Sequence, residues 1–193
     1  MEQLIVQALE DGIALRQACL NLLPEPLMQA SRLLVSCLQK GGKILVCGNG
    51  GSAADAQHFA GELVNRFEMN RRGLPAIALT HDASVITSIA NDFSFDEVYA
   101  RQIEALGNRG DVLLAISTSG NSNNVLKAAK QAARQGMDVV ALTGRDGGQL
   151  GLLPGIVHLN IPHASTPRIQ EMHITCLHVL CTLLDESMFG GRT

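Results

Sequence analysis

Short, unbroken apolar runs recur at 43–47, 75–79, 111–116 and 138–142, with a shorter one at 156–159. None alternates apolar with polar residues, as a strand with one wet face would. Each therefore reads as a strand buried on both sides. Stretches with helical character lie between them, beginning near Ser52 and at 83–90, 94–106 and 121–135, and a last one spans 166–187. This alternation predicts an α/β fold, a five-stranded parallel sheet with helices on both faces in three layers. Two further helical stretches, 3–23 and 27–39, precede the first strand, separated by Leu23-Pro24-Glu25-Pro26. They are expected to cover one face of the sheet or to pair with another subunit. No linker or low-complexity segment divides the chain, so 1–193 is expected to be a single domain with residues 1–40 as part of it.

In such a sheet, ligands bind outside the carboxyl ends of the strands. That rule selects the loops at 48–52, 80–84, 117–122 and 143–148, and two of these are rich in chemistry. The first, Gly48-Asn49-Gly50-Gly51-Ser52, joins a strand to a helix. Its glycines let a ligand approach the backbone, its N–H groups point outward, and the helix dipole favours negative charge. Ser52 stands where an N-cap is expected. The second, Ser117-Thr118-Ser119-Gly120-Asn121-Ser122, supplies four hydroxyls at another helix start. Either loop alone fits a capped turn, but two at equivalent strand ends point to phosphate recognition. No G-x-x-x-x-G-K-[ST] is present, so an ATP-binding P-loop is not expected. A dinucleotide site is disfavoured too: Ala53 replaces the third glycine, and no acidic residue closes a second strand about 20 residues on.

One helical turn past the first loop, His58 and Glu62 are spaced i, i+4 and share a helix face. They are a candidate metal or acid–base pair, or else an ordinary surface pair. The closing helix carries Arg168-Ile169-Gln170-Glu171-Met172-His173, and from 174 onward it is apolar almost all round. Such a helix is expected to be buried on every side, at a subunit interface. His178 within that wall is either a core histidine or a functional one. Gln170 and His178 are separated by about 12 Å along a helix, so they meet at one ion only by leaning together or from different subunits.

Composition narrows the remaining classes. The chain has 193 residues, a net charge of −3 and no basic block, and its aromatic share is 3%, which together argue against nucleic acid. Cys19, Cys37, Cys47, Cys176 and Cys181 form no C-x-x-C pair and read as free thiols in a reducing, cytoplasmic compartment. No signal-type leader follows Met1, and no apolar run reaches the roughly 18 residues a membrane span needs.

Four segments in order, 47–52, 117–122, 142–148 and 168–173, resemble the sugar-isomerase (SIS) domain. Within it, the closest likeness is to the bacterial phosphoheptose isomerases, over nearly the whole chain. The resemblance implies that Asn49, Gly50, Gly51 and Ser52 form a first substrate loop, Asn91 and Asp92 a second, and Ser117, Thr118, Ser119 and Ser122 the phosphate loop. It also implies one zinc ion per subunit held by His58, Glu62, Gln170 and His178, with Gln170 near substrate and with Glu62 and His178 as base and acid. A cytoplasmic homotetramer with active sites between subunits is implied, the closing helix lying in an interface. Pro167 departs from members that carry an Asp there. The implied reaction isomerises sedoheptulose 7-phosphate, a phosphorylated seven-carbon sugar, through an enediol. It is the first step of ADP- or GDP-heptose synthesis for lipopolysaccharide or capsule. The alternative is a DiaA-like branch of the same family, which binds the replication initiator DnaA and catalyses nothing. In that branch the positions matching Glu62 and His178 carry residues unable to transfer protons, whereas here both are intact.

Overall fold

The computed structural model describes residues 1–191. Its centre is β3 (Val112–Ser117), buried at every position. Around it lie β1 (Ile44–Gly48), β2 (Ala76–Ala78), β4 (Asp138–Gly144) and β5 (Val157–Ile161), in the order β2-β1-β3-β4-β5 with every pair parallel. Register follows burial. Ile44 and Val46 face one apolar layer with Val112, Leu114 and Ile116, while Leu45, Cys47, Leu113 and Ala115 face the other. Because side chains alternate along a strand, continuous apolar runs fill two cores at once.

The first core is closed by the end of α1 (Glu2–Cys19), by α2 (Pro24–Gln39), by α3 (Gly51–Val64) and by the long α8 (Thr166–Phe189). The second is closed by α5 (Ala100–Leu106) and α6 (Asn123–Arg134), with α4 (Ala83–Asp92) and the single-turn α7 (Gly148–Gly151) at its margins. The expected three-layer arrangement is therefore present. β1 connects outward to β2, and the chain then crosses back to β3, so strand order reverses between β1 and β3. A crevice opens there, beyond the carboxyl ends of both strands.

Several local expectations differ from the structure. The stretch 94–106 is not one helix: a 3-10 turn over Phe95–Glu97 precedes α5, with Val98 and Tyr99 buried between them. The first helix ends at Cys19 rather than at residue 23, because a turn precedes Pro24 at the start of α2. Within the chain, α8 is not covered on every side: Val179 is 37% exposed and His178 is half-buried. α1 likewise buries Gly12, Leu15 and Cys19 and turns Leu4, Ile5, Leu9 and Ile13 outward. Pro167 sits in the first turn of α8, where its missing N–H leaves no bond unmade. All five cysteines are free and buried. Among the described residues, no helix is long and apolar enough to cross a membrane.

Candidate active site

The loops after β1 and β3 meet at the switch point. Gly50 is the N-cap of α3 at φ 56°, ψ −122°, a backbone state that glycine adopts without a Cβ penalty. The cap is therefore not Ser52, which lies inside the first turn and is 3% exposed. A Cβ on Gly51 would stand 2.5 Å from Gln170 Nε2, so the Gln170 side chain would have to shift to admit one. Gln170, from the first turns of α8, thus lies against the start of α3. In the second loop Ser117 Oγ donates to Ser122 Oγ (3.1 Å), and Ser122 is the N-cap of α6. Gly120 (φ 65°) presses on the 144–148 turn so closely that a Cβ would reach 1.9 Å from the Gly147 carbonyl. Leu150 N donates to Gly120 O (2.8 Å), and Gln149 N donates to Asn121 Oδ1 (3.0 Å). Backbone contacts thus hold the 117–122 loop against the 144–148 turn, and side-chain bonds between Asn49 and Asn124 join it to the start of α3, so that two helix N-termini lie side by side.

A second group lies further along α3. His58 Nε2 is 3.0 Å from Glu62 Oε1. The His178 ring meets that of His58 edge-on, with centroids 5.1 Å apart. One donor atom from each of His58, Glu62 and His178 falls within 4.8 Å of the others. His58 projects to solvent, while Glu62 and His178 are half-buried. The Phe67 ring also stacks on that of His178 (5.5 Å, 27°). Two imidazoles and a carboxylate are a borderline donor set suited to zinc, leaving coordination positions for further ligands. The alternative of a core His178 does not hold in this chain.

The structure does not bring all the expected residues together. Gln170 lies beside Gly51, at the opposite end of α3 from Glu62, and the rise from Ser52 to Glu62 is about 15 Å. Asn91 and Asp92 are exposed at the end of α4, where Asn91 Nδ2 donates to Asp92 Oδ1 (2.9 Å). Thr118 and Ser119 are half-buried in the cradle, and Asn121 N donates to Ser119 Oγ (3.1 Å).

Three further residues lie beside these groups. Tyr99 donates its hydroxyl to the Gly48 carbonyl (2.5 Å) and lies 3.3 Å from Asn49 Oδ1; burial raises its pKa. Asn124 bonds reciprocally with Asn49. Asp55 lies one turn before His58, and its Oδ2 is buried with no hydrogen-bond partner. Burial raises the Asp55 pKa, opposed by the neighbouring His58 charge. The spacing Asp55, His58, Glu62 was a visible signal, since i, i+3 and i+7 share a helix face. Tyr99 carried none beyond being the only tyrosine.

Comparison with known proteins bears on this geometry. The SIS-domain family model matches residues 9–144. The phosphoheptose isomerase of Halorhodospira halophila is 52% identical over 189 residues, covering 97% of this chain and 96% of that protein. That of Coxiella burnetii is also 52% identical, over 93% and 91%. Among solved structures, the phosphoheptose isomerase GmhA of Neisseria gonorrhoeae superposes with a TM-score of 0.91 at 47% identity, covering 96% and 98%. The Francisella tularensis phosphoheptose isomerase gives 0.92 at 44%, covering 95% and 97%. These relatives favour the enzyme over the initiator-binding alternative. With the parallel sheet, the paired cradle loops and near-full-length identity in agreement, the chain belongs to the SIS-domain family and, within it, to the phosphoheptose isomerases.

Proposed function

We propose that this isomerase interconverts sedoheptulose 7-phosphate and D-glycero-D-manno-heptose 7-phosphate, supplying heptose for lipopolysaccharide or capsule. The observation that carries the reading is the convergence of His58, Glu62 and His178 on one flank of α3 and α8. Ketose-to-aldose isomerisation removes a proton from C1, passes through an enediol, and returns a proton to C2. Glu62 is the carboxylate that takes and returns it. His178, with Phe67 stacked on its ring, exchanges a proton with the O1 and O2 oxygens. The hydroxyls of Ser52, Ser117, Thr118, Ser119 and Ser122 and the N–H groups of the two helix starts hold the phosphate, and Asn49 lines the same loop. Anchoring the far end of the sugar places C1 and C2 against the acid–base pair.

His58, Glu62 and His178 fit zinc by donor type, and Gln170 is the proposed fourth donor. When bound, the ion would polarise the substrate carbonyl and stabilise enediolate charge. Gln170 of the same chain lies against Gly51, so a neighbouring subunit is the proposed source of this donor. The outward apolar face of α1 and the exposed Val179 of α8 support burial against another subunit, and the proposed assembly is a homotetramer with sites completed between subunits. Asn91 and Asp92, exposed on α4, are proposed to contact sugar hydroxyls in that assembly. A cytoplasmic location is consistent with five free, buried thiols.

The test is turnover of sedoheptulose 7-phosphate by purified protein, with and without added zinc, beside Glu62→Gln and His178→Gln. Each variant is expected to lose at least 100-fold in kcat while still binding inorganic phosphate. Wild-type protein that binds zinc and phosphosugar but does not turn it over overturns the substrate assignment.

A further inference from the structure

The segment between α3 and β2 is tied to α8 by a buried ion pair. Arg71 Nε donates to Asp185 Oδ1 at 2.5 Å, and the two side chains are 1% and 3% exposed. The rest of the guanidinium turns to the end of α3. Its Nη2 donates to the Glu62 carbonyl (3.0 Å) and its Nη1 to the Leu63 carbonyl (3.1 Å). These belong to the last turn of a helix, whose carbonyls have no partner within the helix. The second oxygen of Asp185 accepts from Met69 N (3.2 Å). One arginine thus grips the backbone of Glu62 itself while paired with a carboxylate seven residues, about two turns, beyond His178 on α8. Between these anchors, Phe67 of the same segment stacks on the His178 ring.

We propose that Arg71 and Asp185 are the positioning pair of this site: their buried ion pair sets the spacing of α3 from α8, and so the separation of His58 and Glu62 from His178. The inference rests on the reading of those three residues as the metal and acid–base group. A buried ion pair is a poor source of stability, since desolvation offsets most of its attraction. A planar fork with fixed donor directions is, however, well suited to holding two helices at one distance. Three donors converging from two helices require that distance to be held to a fraction of an ångström. The cradle at 48–52 and 117–122 lies at the other end of α3 and does not use the clamp.

The experiment uses the full chain and two variants. Arg71→Lys keeps a charge opposite Asp185 but removes the fork to Glu62 and Leu63; Asp185→Asn removes the charge and keeps the shape. Zinc affinity is measured by chelator competition, inorganic phosphate affinity by calorimetry, and kcat and KM with the sugar phosphate. Zinc affinity and kcat are expected to fall by about 10–100-fold, with phosphate affinity and KM near wild type. A folded variant with wild-type zinc affinity and kcat overturns the inference, and so does an equal loss of zinc and phosphate binding, which is general loosening. A measurement on wild-type protein stands even where a variant fails to fold. Zinc should slow amide hydrogen exchange at Met69 and Asn65, and leave 117–122 unchanged. Unchanged exchange at Met69 and Asn65 in zinc-loaded protein overturns the clamp alone. Failure of wild-type protein to bind zinc overturns the metal reading and the clamp with it.

Discussion

Asn49 and Asn124 exchange two amide hydrogen bonds across the switch point, at 2.8 and 2.9 Å, joining the loop after β1 to the first turn of α6. Asn124 Oδ1 also accepts from Val125 N (2.9 Å), so the pair is held in one orientation. The two loops of the proposed phosphate cradle are thereby joined by side chains that need not touch phosphate themselves.

Asn124→Ala leaves the Asn49 amide without its partner in a half-buried place. The expected cost is about 1–3 kcal/mol of stability. Inorganic phosphate affinity should also weaken, because the first loop loses its brace. Urea unfolding and calorimetry of phosphate binding measure the two effects. Unchanged phosphate affinity would show that Tyr99 alone suffices to hold the loop.

Gly120→Ala is expected to be more severe. The backbone at φ 65° disfavours a side chain, and the new Cβ would overlap the Gly147 carbonyl. Strain of this kind costs about 1–3 kcal/mol before the clash is counted. The 117–122 and 144–148 turns must separate, so phosphate binding should be lost while zinc binding at the other end of α3 is retained.

Acid should weaken the fold through His173. This ring is fully buried, donates from Nε2 to the Thr143 carbonyl (2.9 Å), and has its pKa lowered by burial to about 4. The unfolded chain binds its proton near pH 6.5, so between these values unfolding takes up protons. The contribution is fully present above pH 6.5 and is lost as pH falls toward 4. Between pH 7 and pH 5, wild type is expected to lose about 2 kcal/mol more than His173→Gln. Equal acid slopes for the two proteins would contradict this.

α4 should be the least protected helix next to the site. None of its residues is fully buried, and a cavity of about 420 Å³ lies against it, lined by Ile77, Val85, Ile89 and Leu106. Few buried contacts mean low local stability, so its amides should exchange well before those of α6. Sugar phosphate should slow that exchange if Asn91 and Asp92 take part in binding. Hydrogen exchange read by mass spectrometry decides both points.

Much of this was legible from residue pattern. Continuous apolar runs identify buried parallel strands, because only a strand covered on both faces dispenses with alternation. Glycines and hydroxyls beyond strand ends mark anion cradles for an equally local reason. Capping of α3 was misread at Ser52 because a hydroxyl is the commoner cap, whereas here Gly50 takes that position at φ 56°. The 94–106 stretch hid its break because Val98 and Tyr99 are buried by tertiary packing, not by helix periodicity.

Sequence alone determined the sheet, the two cradles and the i, i+4 pair of His58 and Glu62, all consequences of neighbours along the chain. Residue pattern left His178 open and only the resemblance grouped it with that pair; the tertiary structure brings their donor atoms within 4.8 Å of one another and puts Gln170 against Gly51. It alone paired Arg71 with Asp185, 114 positions apart. Such contacts depend on how α3 and α8 pack over one face of the sheet, and that packing is a property of the filled core rather than of any local pattern.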